Sequence, residues 1–541
     1  MGDAGTRVPA GRRRPLGYPT WAALVVACGV LLRIRRWSGR RSLNSDELWI
    51  AVNLQRRSFA ELHGRLDFDQ IAPPGWLWLH KLGLAAGRGD ALLRLPELIA
   101  ACAAVALTAV LARRLLPAPL ALAAVALAAG TPALIYQASQ LKPYSVEAAA
   151  TVLLLILALR ALDDPARRRL LAFWLTGAVA VWFATTALFV TGAMGGLLLL
   201  FAAASRRWVL LRDHAIAAAP TAASMLLVYL AMPSPVGWLR DWWSTTYPGS
   251  LAPRHLGPRS ALTWSRDVFH QFARSALAAE HDRVRWLVLG LMAAGAVALA
   301  VRRPRTAALV TAPLAAGYLL ALLRLYPMAT RVALWLVPVA WILLCAGLDG
   351  LLRLAAVALL RARWPSGTWW GRAPRAAGGV AAAVAALLIA THLQRFGHAQ
   401  HATNAERFAR AQPAVEMVAE RRLPGDVVLV HGGKSEVAMI GWYGRGAGLR
   451  PDSWYSPGQG DACRAGGQPA GMTAASRVWL VRVSWVPKPR TLDAEKRAMA
   501  RFARLAGEYW YGGVVVALYE KAPGAAPPPG APCLLDTPAR F

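Results

Sequence analysis

The chain has 541 residues, 56% of them hydrophobic and only 17% charged, with a mean hydropathy of +0.37. Its formal net charge is +32, yet the arginines gather in short connections between apolar runs: RRR 12–14, RR 113–114, RRR 167–169, RR 206–207 and RRPR 302–305. This excludes an ordinary soluble domain and argues against nucleic acid as a partner, because it is the pattern of cytoplasmic loops in a polytopic membrane protein.

Apolar runs of about 17–22 residues, the length that crosses a hydrocarbon core, recur along the chain. They lie at roughly 18–35, 91–112, 117–136, 144–161, 170–185, 187–204, 214–232, 285–301, 306–323, 332–355 and 376–394. Arg12–Arg14 before the first run resemble the start of a signal peptide, but no small-x-small cleavage site precedes the arginines at 33–36. The first run is therefore read as an uncleaved span. With the N-terminus inside, eleven spans leave the C-terminus outside and every short arginine-dense connection on the cytoplasmic side. RIRRWSGRR (33–41) breaks that rule. Either the topology differs, or these arginines are held outside for a purpose such as meeting a phosphate.

The first outer segment opens with SLNSDELWIAVNL (42–54). Asn44 or Ser45 is the expected N-cap of an interfacial helix, and Asp46 and Glu47 sit in its first turn, where the helix dipole favours acids. A second reading makes one of these carboxylates a general base facing a cavity at the membrane surface. LDFDQIAPPGWLWLHKL (66–82) follows, with Asp67 and Asp69 as the place for a divalent cation if one is needed. Its Ala-Pro-Pro stops any helix before a short aromatic one carrying His80 and Lys81. Lys81 is a phosphate-contact candidate that snorkelling explains equally well, and His63 and His80 read as structural.

ALLRLPELIA (91–100) puts Arg94 and Glu97 near the outer end of the second span. Glu97 is either a second acid of the cavity or the partner of Arg94 on the next turn. YQASQLKPYSVEAA (136–149) puts Lys142, Tyr144 and Glu147 near the outer end of the fourth, and LRLYPMATRVALWLVP (323–338) puts Arg324, Tyr326 and Arg331 at that of the tenth. GWLRDWWSTTYPGS, in the long segment 233–284, reads first as an interfacial aromatic belt. Ionisable groups thus collect at one side of the bundle, and beside membrane spans such groups are costly and usually functional.

After residue 396 the pattern changes to helix 406–423, turn plus strand 424–431, strand 476–485, helix 495–508 and strand 512–521, a small α/β domain. HGGKSE (431–436) is not a phosphate loop, because Val428 stands where that pattern needs glycine. Cys28, Cys102 and Cys345 lie in apolar runs. Cys463 and Cys533 leave an extracytoplasmic disulfide open, and the five cysteines show no metal-ligand spacing.

The order SDELW, LDFDQIAPPGWLWL, ALLRLPELIA, SQLKPYS and LYPMATR resembles bacterial GT-C glycosyltransferases, the PMT-like or family-39-like group with RgtA/B/C/D-type domains, over roughly residues 20–400. PGDVVLVH…RVWLV…ALYE is similar to the outer domain of some of them. The resemblance implies a mainly α, polytopic membrane helix bundle over 1–395, an extracytoplasmic α/β domain over 396–522 and a Pro/Gly-rich tail over 523–541. It also implies a multi-pass plasma-membrane enzyme that moves a sugar from a polyprenyl-phosphate donor to a hydroxyl of a lipid, glycan or protein acceptor, with inversion. Asp46 matches the family's acid and would be the general base, with Glu47 beside it. Lys142 and Arg331 match basic positions that would stabilise the departing phosphate. Tyr144, Glu147, Arg324, Tyr326, Arg94 and Lys81 complete the expected substrate site. No cofactor is implied beyond a possible divalent cation. One departure stands out: Gln140 occupies a position where the family carries an acid, and Glu147 keeps an acid further along. A flippase of a lipid-linked glycan and a catalytically inactive binding protein are the rival readings.

Overall fold

The computed structural model describes residues 17–39, 41–87, 89–232, 237–255, 257–363, 408, 410–430, 434–449, 454–455, 475–483, 496–497, 499–500 and 503–521. The expected span at 376–394, the tail at 523–541, Cys463 and Cys533 lie outside those residues.

In lipid every backbone N–H and C=O must be paired within the chain, so long apolar runs fold as helices. The chain begins with α1 (Tyr18–Ser38) and the shorter α2 (Ser45–Arg56), α3 (Pro74–Ala86) and α4 (Asp90–Leu93). There follow α5 (Leu95–Leu115), α6 (Ala118–Gly130), α7 (Pro132–Gln137), α8 (Tyr144–Asp163), α9 (Arg167–Ala180), α10 (Thr185–Ala204) and α11 (Trp208–Ala231). The long loop contributes α12 (Gly237–Thr246) and α13 (Pro258–Ser275) before α14 (Asp282–Arg302) and α15 (Pro304–Leu322). A 3-10 turn, Thr330–Leu336, then runs into α16 (Val337–Arg363).

Among the described residues eight stretches are long and apolar enough to cross a membrane: α1, α5, α8, α10, α11, α14, α15 and Thr330–Val357. The last is the most enclosed of the eight, with 94% of its apolar window buried. It meets α14 through two glycines: a Cβ on Gly295 would lie 1.9 Å from the Leu343 carbonyl, and one on Gly347 equally close to that of Leu291. Such small residues let membrane helices approach at backbone distance.

Two of the expected spans are shorter than the sequence suggests. The run at 117–136 breaks at Thr131–Pro132, because proline lacks the N–H that would continue the helix. This leaves α6 with 13 residues, about 20 Å. The broken end is not left bare. Arg33, 1% exposed, donates to the carbonyls of Ala129 (2.9 Å) and Ala128 (3.3 Å), so one arginine of the anomalous 33–41 stretch is a buried helix cap. The run at 170–185 yields only the 14-residue α9. It ends in a turn whose Trp182 carbonyl accepts from Trp76 N at 3.0 Å, against Gly75 at the start of α3.

The C-terminal part contains α17 (Ala411–Arg421), β1 (Val427–Val430), α18 (Lys434–Met439), β2 (Trp454–Tyr455), β3 (Arg477–Val483), β4 (Ala503–Tyr511) and β5 (Val514–Lys521). The strands form one sheet in the order β2-β1-β3-β5-β4, parallel across β2-β1-β3 and antiparallel beyond. The helix expected at 495–508 is corrected here, since residues 503–511 are a strand. Aromatic-rich EYWY favours a pleated surface, and Gly512, at φ 61°, turns β4 back onto β5.

The sheet does not stand apart from the bundle. Leu43, Leu48 and Val52 of the α2 region share one core with Phe408, Val415, Ile440 and Trp479. The Tyr443 hydroxyl accepts from Leu43 N (2.6 Å) and donates to Asp90 (2.5 Å).

Candidate active site

The first turn of α2 is built by a capping box, with Asn44 as the N-cap. The Asn44 side chain accepts from Glu47 N (3.1 Å), and the Glu47 carboxylate accepts from Asn44 N (2.9 Å). Glu47 takes further donors: Arg94 in a fork at 2.7 and 2.6 Å, and Leu141 N at 2.7 Å. Its side chain is 1% exposed. Arg94 also reaches the carbonyls of Arg41 (2.8 Å) and Ser42 (3.2 Å). Burial works against the Arg94 charge, but Glu47 holds the guanidinium pKa above its ordinary value.

Asp46, one position earlier, turns about 100° around the helix and reaches the surface. It pairs with Arg331 Nη2 at 2.8 Å, with side-chain exposures of 26% and 38%. Arg331 enters from the start of the 3-10 turn and also hydrogen-bonds Tyr144, while its Nε has no partner. Lys142 donates to Gln70 at 2.8 Å. Burial lowers its pKa to about 8; Asp46 opposes that shift and Arg331 adds to it. The structure thus gathers Asp46, Lys142, Tyr144 and Arg331, one carboxylate facing two cations.

Glu147, 2% exposed, lies deeper. It accepts from the backbone N–H groups of Thr186 and Thr185 at the start of α10, and its Oε2 has no partner. Tyr326 is its neighbour: burial pushes the Tyr326 hydroxyl pKa up, and Glu147 and Tyr144 push the same way.

The remaining expected residues stand elsewhere. Arg324 binds the Ala252 carbonyl and reaches Ser244 Oγ at 3.4 Å. Lys81 caps the far end of α2 through the Leu54 carbonyl (2.8 Å), eight residues from Asp46 and so about 12 Å along the helix. Glu97 does not pair with Arg94. Arg94 is taken by Glu47, and Glu97 accepts from Trp76 Nε1 (2.6 Å) beside His80 Nε2 (3.4 Å). His63 packs edge-on against Trp78, with ring centres 4.8 Å apart. Asp67 and Asp69 are each committed to an arginine, Arg57 at 2.8 Å and Arg65 at 2.6 Å. Among the described residues no three His, Cys, Asp or Glu side chains converge as a metal site. Gln140 accepts from Asn44 Nδ2 and donates to the Ser139 carbonyl (2.9 Å).

Sequence reasoning missed Gln70, which orients Lys142, and Tyr247, whose hydroxyl lies in the field of Arg331. Gln70 was hidden between the acids and the prolines of LDFDQIAPP, and Tyr247 within an aromatic belt.

No protein-family profile matches the chain, and no curated protein matches its sequence. Among solved structures it is similar to ArnT from Cupriavidus metallidurans in the apo state, with a TM-score of 0.54 at 14% identity over 92% of this chain and 98% of that one. The same protein bound to undecaprenyl phosphate gives 0.53 at 14% identity, over 93% and 98%. AglB, the archaeal oligosaccharyltransferase from Archaeoglobus fulgidus, in complex with an inhibitory peptide and a dolichol-phosphate, gives 0.45 at 12% identity, over 93% and 74%. Together with the eight apolar helices, the likeness to ArnT shows that this multi-pass membrane chain shares the overall fold of ArnT, the GT-C fold.

Proposed function

We propose that the protein is a membrane glycosyltransferase that moves a sugar from a polyprenyl-phosphate donor to an acceptor hydroxyl, with inversion, at the extracytoplasmic face. The observation that carries the reading is the Asp46–Arg331 pair at the rim of the bundle, 2.8 Å apart, with Lys142 and Tyr144 beside it. The GT-C fold and the undecaprenyl phosphate bound by ArnT support a lipid-phosphate donor. The side of the membrane is supported by the arginine-dense connections at 113–114, 167–169, 206–207 and 302–305, which leave the opposite end of the bundle.

In this reading Arg331, Lys142 and Tyr144 receive the donor phosphate. That phosphate competes with Asp46 for Arg331 and releases the carboxylate, and an unpaired carboxylate is the better proton acceptor. The acceptor oxygen attacks the anomeric carbon and its proton passes to Asp46. The bond from that carbon to the phosphate oxygen breaks, and its electron pair leaves with the phosphate, whose charge the two cations offset. Glu47 and Arg94 are positioning residues that fix the first turn of α2. Glu147 orders the start of α10 beneath the site, and Tyr326 lines the wall beside it. Lys81 and Arg324 stand outside the reacting group.

The test is sugar transfer from labelled polyprenyl-phosphate donors by the purified protein. Wild-type transfer lost in Asp46→Asn, with folding intact, supports the base; full transfer by that variant removes the assignment.

A further inference from the structure

Across the first turn of α2 from Asp46, a narrow crevice opens between the end of α1 and the loop that leads into α8. It is lined by Arg36, Arg41, Arg94, Ser42, Ser139 and Gln140. Glu47 is the one acid in its wall, and its oxygens are already taken by Arg94, Asn44 N and Leu141 N. Arg94 is therefore neutralised. Arg36 lies 5.0 Å over the Tyr136 ring, and Arg41 has no carboxylate among the crevice residues other than Glu47. Nη1 of Arg41 is buried with no hydrogen-bond partner. A buried charged donor left without an acceptor is expensive. The guanidinium fork matches the oxygens of a phosphate.

We propose that this crevice is a second oxyanion site, separate from the Asp46–Lys142–Arg331 cluster, and that it holds a phosphate group carried by the acceptor. The anion site stands on the geometry of Arg36, Arg41 and Gln140; naming the acceptor as its source rests on the glycosyl-transfer reading. The crevice is narrow, so the anion enters by drawing the Arg36 and Arg41 side chains around it. On the facing wall the Ser139 hydroxyl already donates to the Tyr136 carbonyl (3.0 Å), and the Gln140 amide, bonded to the Ser139 carbonyl through one N–H, has a second N–H to offer. Asp46 lies about 100° around the same helix turn from Glu47, so an acceptor anchored here by its phosphate would reach around the first turn of α2 to bring a neighbouring hydroxyl to Asp46.

The experiment uses the full chain in nanodiscs of phosphatidylcholine, titrated separately with glycerol 3-phosphate and with undecaprenyl phosphate. Arg41→Gln should weaken glycerol 3-phosphate binding at least about tenfold, the loss of one charge-assisted contact, and leave undecaprenyl phosphate binding unchanged. Arg331→Gln should do the reverse. Gln140→Glu keeps an acceptor for Asn44 but adds a like charge to the crevice, so it should also weaken glycerol 3-phosphate; it carries the test if Arg41→Gln fails to fold. The proposal is overturned by three results: no saturable glycerol 3-phosphate binding to wild type at millimolar concentration, binding unaffected by Arg41→Gln and Gln140→Glu, or loss of undecaprenyl phosphate in Arg41→Gln, which would make the crevice the donor site. Equal binding of undecaprenyl phosphate to wild type and Arg331→Gln would instead count against the reading of Arg331, and leaves the crevice result separate.

Discussion

Two sets of ion pairs, at opposite ends of the helix bundle, hold their charges in opposite ways. At one end Arg114 meets Asp163 and Arg169 meets Asp164, with the acids 62% and 48% exposed. Pairs of this kind contribute about 0–1 kcal/mol and mark a loop more than they hold it. At the other end Glu47 and Arg94 are almost wholly buried, and both are further bonded to backbone groups of neighbouring segments. Removing one partner there strands the other, at about 3–5 kcal/mol. Arginine content alone hides this contrast: the same residue type is a topological marker in Arg114 and Arg169 and a structural member in Arg94. Asp46 and Arg331 form an intermediate case, paired but open to solvent, which is what an exchangeable pair requires.

The sharpest way to test that contrast is to neutralise the two adjacent acids separately. Asp46→Asn should lower transfer by about 10²–10⁴-fold, the usual range for a general base, with an unchanged melting temperature. Glu47→Gln should instead lower the melting temperature, by a loss of about 3–5 kcal/mol in stability. If the two variants behave alike, the division of labour between them is wrong.

A smaller effect concerns Lys142. Burial lowers its pKa to about 8, so the ammonium is charged below that pH and loses its proton as pH rises through it. Donor-phosphate binding should therefore be full below pH 8 and fall about tenfold between pH 7 and pH 9 as the charged fraction declines. Lys142→Arg should flatten the profile, because arginine stays protonated; an identical decline in that variant would assign the titration to another group. Smallest of all, Asp163→Asn at the exposed end should shift stability by less than about 1 kcal/mol in a thermal scan. A larger loss would erase the contrast between the Arg114–Asp163 and Glu47–Arg94 pairs.

Much of the bundle was legible because a hydrocarbon solvent leaves an apolar run few options. The break at Thr131–Pro132 was passed over because a hydropathy window averages across it, and because its cap is Arg33, nearly a hundred residues earlier. RAMARFARLAGE has helical spacing, yet its second half belongs to β4, because the hairpin with β5 decides its state. The acids of the site show the same limit. Nothing local separates Asp46 from Glu47; the difference lies in Arg94, Leu141 and Arg331, at sequence distances no pattern spans. Gln140 was visible as a departure, but its contact with Asn44 was not.

The hydrogen bond from Leu43 N to the Tyr443 hydroxyl joins residues 400 positions apart. On a ribosome adding about 5–20 residues per second, that separation is a wait of about 20–80 s. During that interval α2 exists with one face bare, its Leu48 and Val52 lacking the Ile440 and Trp479 they will later pack against. The helix turn that carries Asp46 is therefore among the first parts of the molecule to be made and among the last to be set, and a nascent chain cannot begin work before it is nearly finished.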